Sequence, residues 1–387
     1  MKFKYLLIVA ALLLTLSGCG GGSNEKPEWD DLEDDTTTQT SGDNQGNTNT
    51  GAIDYANEPM TVITRDSGLE IAVYADGRME LSGGNVEENL LDDNILKDFI
   101  NTTTELTLGK GVTVVGEKAF AGFTGLQKVI IGDDVTTIGY RAFADCTGIT
   151  GVTFGKKLTV IEDYAFSGCT SLKDASLNDE LTTIGSFVFS GCTSLVDVRI
   201  GSKVTDFGTE VFSGCTAFTS LRCASNVADS AFSNCTGLTS VTFTDQVTVI
   251  DAYAFSGCTS LKEINIPVSV TNINREAFAG CTALKTINIE EGGELILGDA
   301  AFLGCTALKE VDLPNGVVQI GEKTFAQCTA LEKIYLPSTL KKIGYGMLQD
   351  TDSLRTIKFK GNYTKWNGVK KATNWQKGAG VTTVSCS

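Results

Sequence analysis

The chain has 387 residues, 42% of them hydrophobic, with 31 basic and 47 acidic side chains and no histidine. Enough apolar surface is present to build a large core, so the chain is not disordered throughout. The lack of histidine excludes Ser-His and Cys-His catalysis and every histidine-containing zinc site. A net charge of −16 disfavours nucleic acid as a partner, since such binding relies on Lys and Arg that neutralise phosphates. We therefore expect no enzyme, cofactor or metal site.

The first eighteen residues have the composition of a secretory signal peptide. Lys2 and Lys4 precede an apolar run from Tyr5 to Leu16, which is too short to span a bilayer comfortably. The run ends in Leu16-Ser17-Gly18-Cys19, which resembles a bacterial lipobox, a signal in which the cysteine is acylated and becomes the mature N-terminus. An ordinary signal peptide is the alternative. We expect lipidation at Cys19 and a lipid-anchored protein of the cell envelope, at the outer membrane and cell surface, held by its acyl chains alone.

Residues 19–52 are predicted to form a flexible acidic stalk. A glycine-rich start at Gly20 leads into an acidic cluster from Glu28 to Asp35, and a tract of Thr, Ser, Asn, Gln and Gly follows. Such a composition buries too little apolar surface to fold. The stalk would hold the folded part of the protein away from the lipid surface.

A repeat marked by phenylalanine organises the chain from residue 106 onward. The markers are Phe120, Phe143, Phe166, Phe189, Phe212, Phe232, Phe255, Phe278, Phe302 and Phe325, and Leu348 takes an eleventh position. The steps are 23 residues long except for one of 20, into Phe232, and one of 24, into Phe302. Three residues after each marker from Phe143 onward stands a Cys-Thr pair, nine in all. A fixed period of this length predicts stacked coils, because no single coil can bury its own apolar face.

Each repeat also carries two apolar patterns outside the marker segment. The first is L-x-x-V-x-I, as in Leu195, Val198 and Ile200, and its period-2 end predicts a short strand with one face buried. After a turn comes a second V-x-x-I, as in Val135 and Ile138. The sequence therefore predicts a repeat solenoid of about eleven 23-residue coils with columns of Leu, Ile, Phe and Cys.

The motif Ile-Gly-x-x-Ala-Phe-x-x-Cys-x-x-Leu resembles the BspA-like, Treponema pallidum-type leucine-rich repeat over residues 106–360. This resemblance implies a leucine-rich-repeat solenoid with parallel short strands on its concave face, short second strands and single helical turns. It also implies caps at both ends. Residues 53–105 resemble the N-terminal cap, with its strand hairpin, and residues 361–387 resemble the C-terminal cap, through Trp366 and Trp375. Members of the family are surface or secreted proteins that are often linked to adhesion.

The nine cysteines in register allow three interpretations. A disulfide ladder would need Cβ atoms ~3.5–4.5 Å apart, whereas neighbouring parallel strands keep them at ~4.8 Å, and nine thiols cannot all pair. Metal binding needs four sulfurs that converge, which a linear column does not provide. A reduced thiol used as a small apolar filler is the favoured interpretation, and it extends to Cys223 at an inward strand position. The pairing of Cys386 stays open.

The outward side chains of the concave strands are the predicted binding surface. The candidate ligand-binding residues are Asp197, Arg199, Arg222, Glu263, Asn265, Asn288, Lys333, Tyr335 and Lys358. Arg199 and Arg222 occupy equivalent positions in successive repeats, so we expect them to project side by side at ~4.8 Å. Such a pair would suit carboxylates or sulfates.

The charge distribution suggests a second surface. Residues 353–387 hold seven basic side chains and no acidic one. This basic tip could steer acidic partners, sulfated glycans among them, or could serve solubility alone.

These features predict a membrane-tethered bacterial surface protein that binds an extracellular protein or glycan through its solenoid. Adhesion to a host matrix protein, a glycan or another cell is the favoured function. The alternative is a structural envelope lipoprotein, a spacer or scaffold without a host ligand.

Overall fold

The computed structural model describes residues 58–90, 94–200, 203–204, 206–223, 225–381 and 383–387. The predicted signal peptide, Cys19 and the stalk lie outside the described residues. Within them the chain winds into stacked coils that contribute strands to a first sheet and shorter strands to a second sheet.

The two sheets run along the stack. The first sheet contains β1 (Thr61–Thr64), β2 (Glu70–Val73), β3 (Arg78–Ser82), β4 (Glu105–Leu108), β6 (Lys128–Ile131), β8 (Gly151–Thr153), β10 (Asp174–Ser176), β12 (Asp197–Arg199), β14 (Ser220–Cys223), β15 (Ser240–Phe243), β17 (Glu263–Ile266), β19 (Thr286–Ile289), β21 (Glu310–Asp312), β23 (Lys333–Leu336), β25 (Thr356–Phe359) and β27 (Val384–Cys386). The second sheet contains β5 (Val114–Val115), β7 (Thr137–Ile138), β9 (Val160–Ile161), β11 (Thr183–Ile184), β13 (Asp206–Phe207), β16 (Val249–Ile250), β18 (Asn272–Ile273), β20 (Leu295–Leu297), β22 (Val317–Ile320), β24 (Lys342–Ile343) and β26 (Lys370–Lys371). Two short helices complete the described elements, α1 (Asn94–Lys97) and α2 (Tyr363–Gly368).

Neighbouring coils pair in parallel, with equivalent residues opposite one another. In β17 and β19, for example, Ile264 lies opposite Ile287, and Asn265 lies opposite Asn288. The strand alternates exposed and buried side chains, because successive residues of a strand point to opposite faces. The predicted solenoid of the leucine-rich-repeat type is confirmed.

The stack has about thirteen coils, slightly more than the eleven expected. The difference arises because both predicted cap segments add strands in register. β3 ends an antiparallel β1–β2–β3 meander and pairs in parallel with β4, and β27 pairs in parallel with β25.

The marker phenylalanines form a continuous stack through the core. Ring centroids of successive markers from Phe120 to Phe325 lie 5.1–5.6 Å apart, with planes inclined by only 1–12°. All ten rings are buried. Each ring is therefore covered by a ring above or below it, and the column links every coil to its neighbours.

The nine column cysteines do more than fill space. In each of them Sγ donates a hydrogen bond to the carbonyl of the marker phenylalanine in the preceding coil, at 3.0–3.4 Å. The same Phe143 carbonyl, for example, accepts the N–H of Cys146 from its own coil and the thiol of Cys169 from the next one. Because alanine or valine would leave this carbonyl lone pair without its second donor, the column favours a small side chain that is both apolar and a weak donor.

A single helical turn was expected at the marker segment. The structure has a run of tight turns there instead. Arg141 and Phe143 donate their N–H groups to carbonyls of the next coil, whereas Ala142 and Ala144 donate to carbonyls three residues back. Arg141 adopts a left-handed φ of 54°, and the residue two places before the marker does so in coil after coil. Alternate N–H groups are thus committed to the neighbouring coil, which prevents a regular helix.

Both sheets are interrupted at one place, which we call the seam (β12 to Val227). Among the described residues, β12 does not pair with β14, and β13 does not pair with Val227, which bridges to Ile250 of β16. The second sheet continues across the other interruptions of the first. The 20-residue step falls at this interruption. Regular coils take seven residues from the end of the first strand to the second, as from Ile266 to Ile273, but only four separate Cys223 from Val227. The core still crosses the seam, since the Phe212 and Phe232 rings stack at 5.4 Å.

The C-terminal end of the stack is closed by aromatic rings. Trp366 of α2 packs on Phe359 at 5.2 Å and on Trp375 at 5.9 Å between ring centroids. Lys371 turns inward beneath α2, where its ammonium donates to the carbonyls of Trp366 and Val369 at 2.7 and 2.8 Å. These carbonyls end the helix and need donors, and a cation also suits the negative end of the helix dipole.

Candidate functional site

The outward side chains of the first sheet from β12 to β25 form one surface, here called the strand face. It includes all nine predicted ligand-binding residues. Most of them are exposed, and Tyr335 and Lys358, which are register partners, are half-buried. The strand face thus displays side chains from successive coils, and the sheet beneath it is interrupted at the seam.

In the C-terminal half of the strand face, several polar side chains already form hydrogen bonds or ion pairs with side chains of neighbouring coils. The Nδ2 group of Asn288 donates to Oε1 of Glu263 and to Oδ1 of Asn265, both at 2.8 Å. Lys333 pairs with Glu310 of the preceding coil at 3.4 Å. These contacts bring Glu263, Asn265 and Asn288 together as one network, in which their polar groups already have partners.

The seam opens a cleft in the strand face. The cleft has a volume of about 340 Å³ and is lined by Asp197, Val198, Phe218, Ser220, Leu221, Arg222, Ser240 and Thr242. It lies between β12 and β14, which are not paired with each other in the described part of the chain. The structure therefore brings Asp197 and Arg222 to one concave feature and leaves the candidates from Glu263 onward outside it.

Arg199 and Arg222 do not lie side by side as predicted. That prediction assumed that their strands pair directly, and the seam separates them. Arg199 turns to Asp179 instead, at 3.3 Å, with both side chains about 70% exposed. Arg222 lines the cleft and makes no ion pair with any described residue.

Apolar groups are exposed beside the cleft. Val196 is 54% exposed and Ile200 is 38% exposed. Ile200 was predicted to point inward, and this prediction was wrong. The equivalent Ile266 is buried, and its strand pairs with a strand on each side. Ile200 directly follows β12, which has no paired strand on the side of the seam. The only sequence signal for this site was the 20-residue step, which shortens one turn.

A second cleft lies on the other side of the coils, along the second sheet. It has a volume of about 350 Å³, and Tyr140, Glu162, Asp163 and Ser186 are among its lining residues. Its carboxylates already serve the backbone: Glu162 accepts the N–H of Tyr140 at 2.8 Å, and Asp163 accepts that of Ser186 at 2.7 Å. The acids of this cleft are thus structural acceptors that join adjacent coils.

The buried thiols are not poised as nucleophiles. Burial raises the pKa of Cys146, Cys192 and Cys281 to about 12, and it raises those of Cys169 and Cys305 well above the usual 9.0. A thiol in this state holds its proton at neutral pH, and the thiolate is the reactive form. In the described part of the chain, no group of three Cys, Asp or Glu residues is arranged to hold a metal ion. Among the same residues, no helix has the length and apolar character needed to cross a bilayer.

The coil geometry agrees with a family model, that of the BspA type leucine rich repeat region, which matches residues 92–219 and 225–354. The chain belongs to the BspA-type leucine-rich repeat family. The two matched ranges of the BspA-type repeat meet at the seam, just before Asn226, where the short coil departs from the regular spacing.

Solved structures with the same repeat architecture are similar over most of the chain. A leucine-rich repeat protein from Eubacterium ventriosum is 22% identical, with 84% of this chain and 96% of that chain covered and a TM-score of 0.50. A leucine rich cell surface protein from Faecalibacterium prausnitzii is 23% identical, covers 80% of this chain and 97% of its own, and has a TM-score of 0.45. The T. pallidum Leucine Rich Repeat protein is 26% identical, with 51% and 90% covered and a TM-score of 0.38. No curated protein matches the chain.

Proposed function

We propose that this BspA-type repeat protein is a lipid-anchored surface protein that binds an extracellular protein at the seam. The observation that carries the proposal is the position of Arg222, which lines the cleft without a carboxylate partner among the described residues while apolar side chains are exposed beside it. Arginine is one of the residues that dominate protein–protein binding, and the exposed apolar side chains beside it offer surface that a partner would bury. Adhesion to a matrix protein or to another cell would follow from such binding.

The seam is also better suited to a partner than the rest of the strand face. Elsewhere, side chains such as Asn288 and Lys333 already bond to neighbours, and a partner would have to replace those bonds. At the cleft a partner's carboxylate could pair with Arg222, and its apolar groups could cover Val196 and Ile200. Burial of these two side chains would remove the largest exposed aliphatic surface near the cleft from water.

The binding test uses the full chain and an immobilised panel of collagen, laminin and fibronectin. We expect at least one to bind, and Arg222→Glu to weaken that binding by about tenfold or more, as expected for a central arginine. Arg199→Glu should have a smaller effect, because Arg199 already pairs with Asp179. Lys262→Glu, at an exposed position of a later coil, is the control with the same change of charge. Equal losses in the Arg222 and Lys262 variants would refute a seam site.

A structural role is the second candidate, and the cross-coil bonds of the strand face favour it. If the protein is a spacer or scaffold, its outward polar groups serve solubility and coil stacking, as the Asn288 and Lys333 contacts do. The full chain would then bind no member of the panel. Deletion of the protein would instead change envelope integrity without changing attachment to any surface.

The anchor is proposed from Leu16-Ser17-Gly18-Cys19. Signal peptide cleavage before Cys19 and acylation of its thiol would leave residues 19–52 as a spacer between the lipid and the repeats. Cys19→Ser should abolish metabolic labelling with palmitate and release or mis-sort the protein. Retained labelling in this variant would disprove lipidation at Cys19, and protease accessibility on intact cells would report surface exposure.

A further inference from the structure

Some lysines in this solenoid face an acid that lies one coil earlier. Five lysines pair with a carboxylate exactly one repeat back, at 2.7–3.4 Å: Lys128 with Glu105, Lys156 with Asp133, Lys157 with Asp134, Lys203 with Glu180, and Lys333 with Glu310. Where such pairs fall within strands, the two residues are direct register partners, as Lys128 and Glu105 are. Register between coils can therefore place a counter-charge directly beside a surface lysine.

The last two strands of the second sheet place two lysines opposite each other instead. Lys342 of β24 and Lys370 of β26 are direct register partners, and both are exposed. Neither makes an ion pair with any described residue. Neighbouring strands lie ~4.8 Å apart, so two cations stand side by side. Like charges in this position destabilise a sheet.

The sheet positions that precede this pair carry no acidic side chain. Other outward positions of the second sheet on the approach to it are uncharged, namely Asn272, Ile296 and Gln319. Residues 353–387 contain no acid, and the exposed Lys365 and Lys377 have no ion-pair partner among the described residues. β26 is the last strand of its sheet, so no further strand covers this edge in the described structure.

Other bases at this end are already engaged. Lys371 donates to the carbonyls of Trp366 and Val369, and Lys360 pairs with Asp312. Lys341 pairs with Glu294 at 2.8 Å. Lys342 and Lys370, together with the exposed Lys365 and Lys377 of the same C-terminal region, are called the lysine edge.

We propose that the lysine edge binds a sulfated glycan, at a surface separate from the seam. Ammonium groups on long flexible stems act as adaptable point charges toward sulfate or phosphate oxygens, and a paired acid would have cancelled this attraction. A glycan chain can bind through a short anionic segment that contacts the adjacent Lys342 and Lys370. Duplex nucleic acid spreads its binding over about 6–10 phosphate contacts and would meet the repulsion of a chain whose net charge is −16.

The test measures binding of heparin to the full chain by calorimetry at several salt concentrations. The double variant Lys342→Gln/Lys370→Gln should weaken binding by about tenfold or more and reduce the dependence of log K on log salt by about one to two, as expected when two anion contacts are lost. The matched control is Lys128→Gln/Lys156→Gln, which removes the same charge from lysines that already have acidic partners. We expect the control to bind heparin within about twofold of the parent.

Three results would overturn the proposal. The first is no binding of heparin at physiological salt. The second is an equal loss in both double variants, which would mean that net charge alone governs binding. The third is retention of vesicles of phosphatidylserine but not of heparin, which would assign the lysine edge to a membrane surface. Circular dichroism should show both double variants folded, and the Lys342→Gln/Lys370→Gln protein should unfold at a slightly higher temperature at low salt, because the like-charge pair has been removed.

Discussion

Asn85 and Asn226 make the same three hydrogen bonds at two distant places in the solenoid. The side-chain oxygen of Asn85 accepts from the N–H and hydroxyl of Thr113 and from the N–H of Val114, at 2.7–3.1 Å. That of Asn226 accepts from the equivalent groups of Thr248 and Val249, also at 2.7–3.1 Å.

In a regular coil these three donors bond to a backbone carbonyl. The N–H and hydroxyl of Thr159 and the N–H of Val160 all donate to the carbonyl of Thr136, one coil earlier. Neither the N-terminal coil nor the short coil provides this carbonyl, and an asparagine side chain takes its place. The short coil therefore starts the second sheet afresh after the seam, in the way that the N-terminal coil starts it at the beginning of the stack.

We predict that Asn226→Ala lowers the free energy of unfolding by about 1–2 kcal/mol, since two N–H groups lose their acceptor. Asn85→Ala should have a similar effect, and Asn226→Asp should lose less because it keeps an acceptor oxygen. Urea denaturation measures these changes. Gln246→Ala, whose exposed side chain lies in the following turn, is the control and should change stability by less than about 0.5 kcal/mol. If Asn226→Ala is as stable as this control, the side chain does not hold the seam.

The phenylalanine column should carry much of the stability. Phe255 is fully buried and stacks between Phe232 and Phe278, at 5.6 and 5.3 Å. We expect Phe255→Ala to lower the free energy of unfolding by ~3–5 kcal/mol, through lost burial and the cavity left behind. The exposed Lys262→Ala should cost under about 0.5 kcal/mol. Equal melting temperatures for the two variants would contradict the packing described here.

The thiols predict a loss of stability at alkaline pH. Burial raises the pKa of Cys281 to about 12, from 9.0 for an exposed thiol. Because the folded-state pKa is the higher one, the contribution of this thiol is complete below pH 9 and declines as the pH rises toward 12. Each such thiol adds a slope of up to about 1.4 kcal/mol per pH unit. Cys281→Ala should therefore show a shallower decline than the parent over this range, and equal slopes would mean that the thiol ionises in the folded protein.

Thiol labelling gives an independent check. In the native protein a thiol reagent should modify few of the ten buried cysteines, and after unfolding in guanidinium without reductant it should reach nearly all of them. Detection of several disulfides within the column by mass spectrometry would contradict the reduced ladder of thiol-to-carbonyl bonds.

Lys371 should stabilise the C-terminal end although its neighbour Lys370 does not. Its ammonium bonds two helix-terminal carbonyls and lies 4.2 Å from the centroid of the Trp366 ring. Lys371→Ala should lower the free energy of unfolding by about 1 kcal/mol and change the fluorescence of Trp366. Lys370→Ala, at the exposed adjacent position, should leave both unchanged within about 0.5 kcal/mol. Equal behaviour of the two variants would show that Lys371 is not buried beneath α2.

The sequence by itself determined the coils and their columns. Phe255, Cys258 and Leu261 could be assigned to the core because their spacing recurs in coil after coil, and only stacking can bury such a pattern. The alternation of buried and exposed residues within strands could also be predicted, because successive side chains of an extended chain point to opposite faces.

The tertiary structure decided where the regular stack fails and which surface groups have partners. Whether Arg199 lies beside Arg222 depends on whether their strands pair, and the structure shows that β12 and β14 do not. Whether a lysine is neutralised depends on the residue one coil away, which is Glu105 for Lys128 and another lysine for Lys370. Repetition of a local pattern specifies a core, because every coil must bury the same face. The chemistry of the surface depends on the register between coils. Turn lengths alter this register, and the sequence of a single repeat does not contain it.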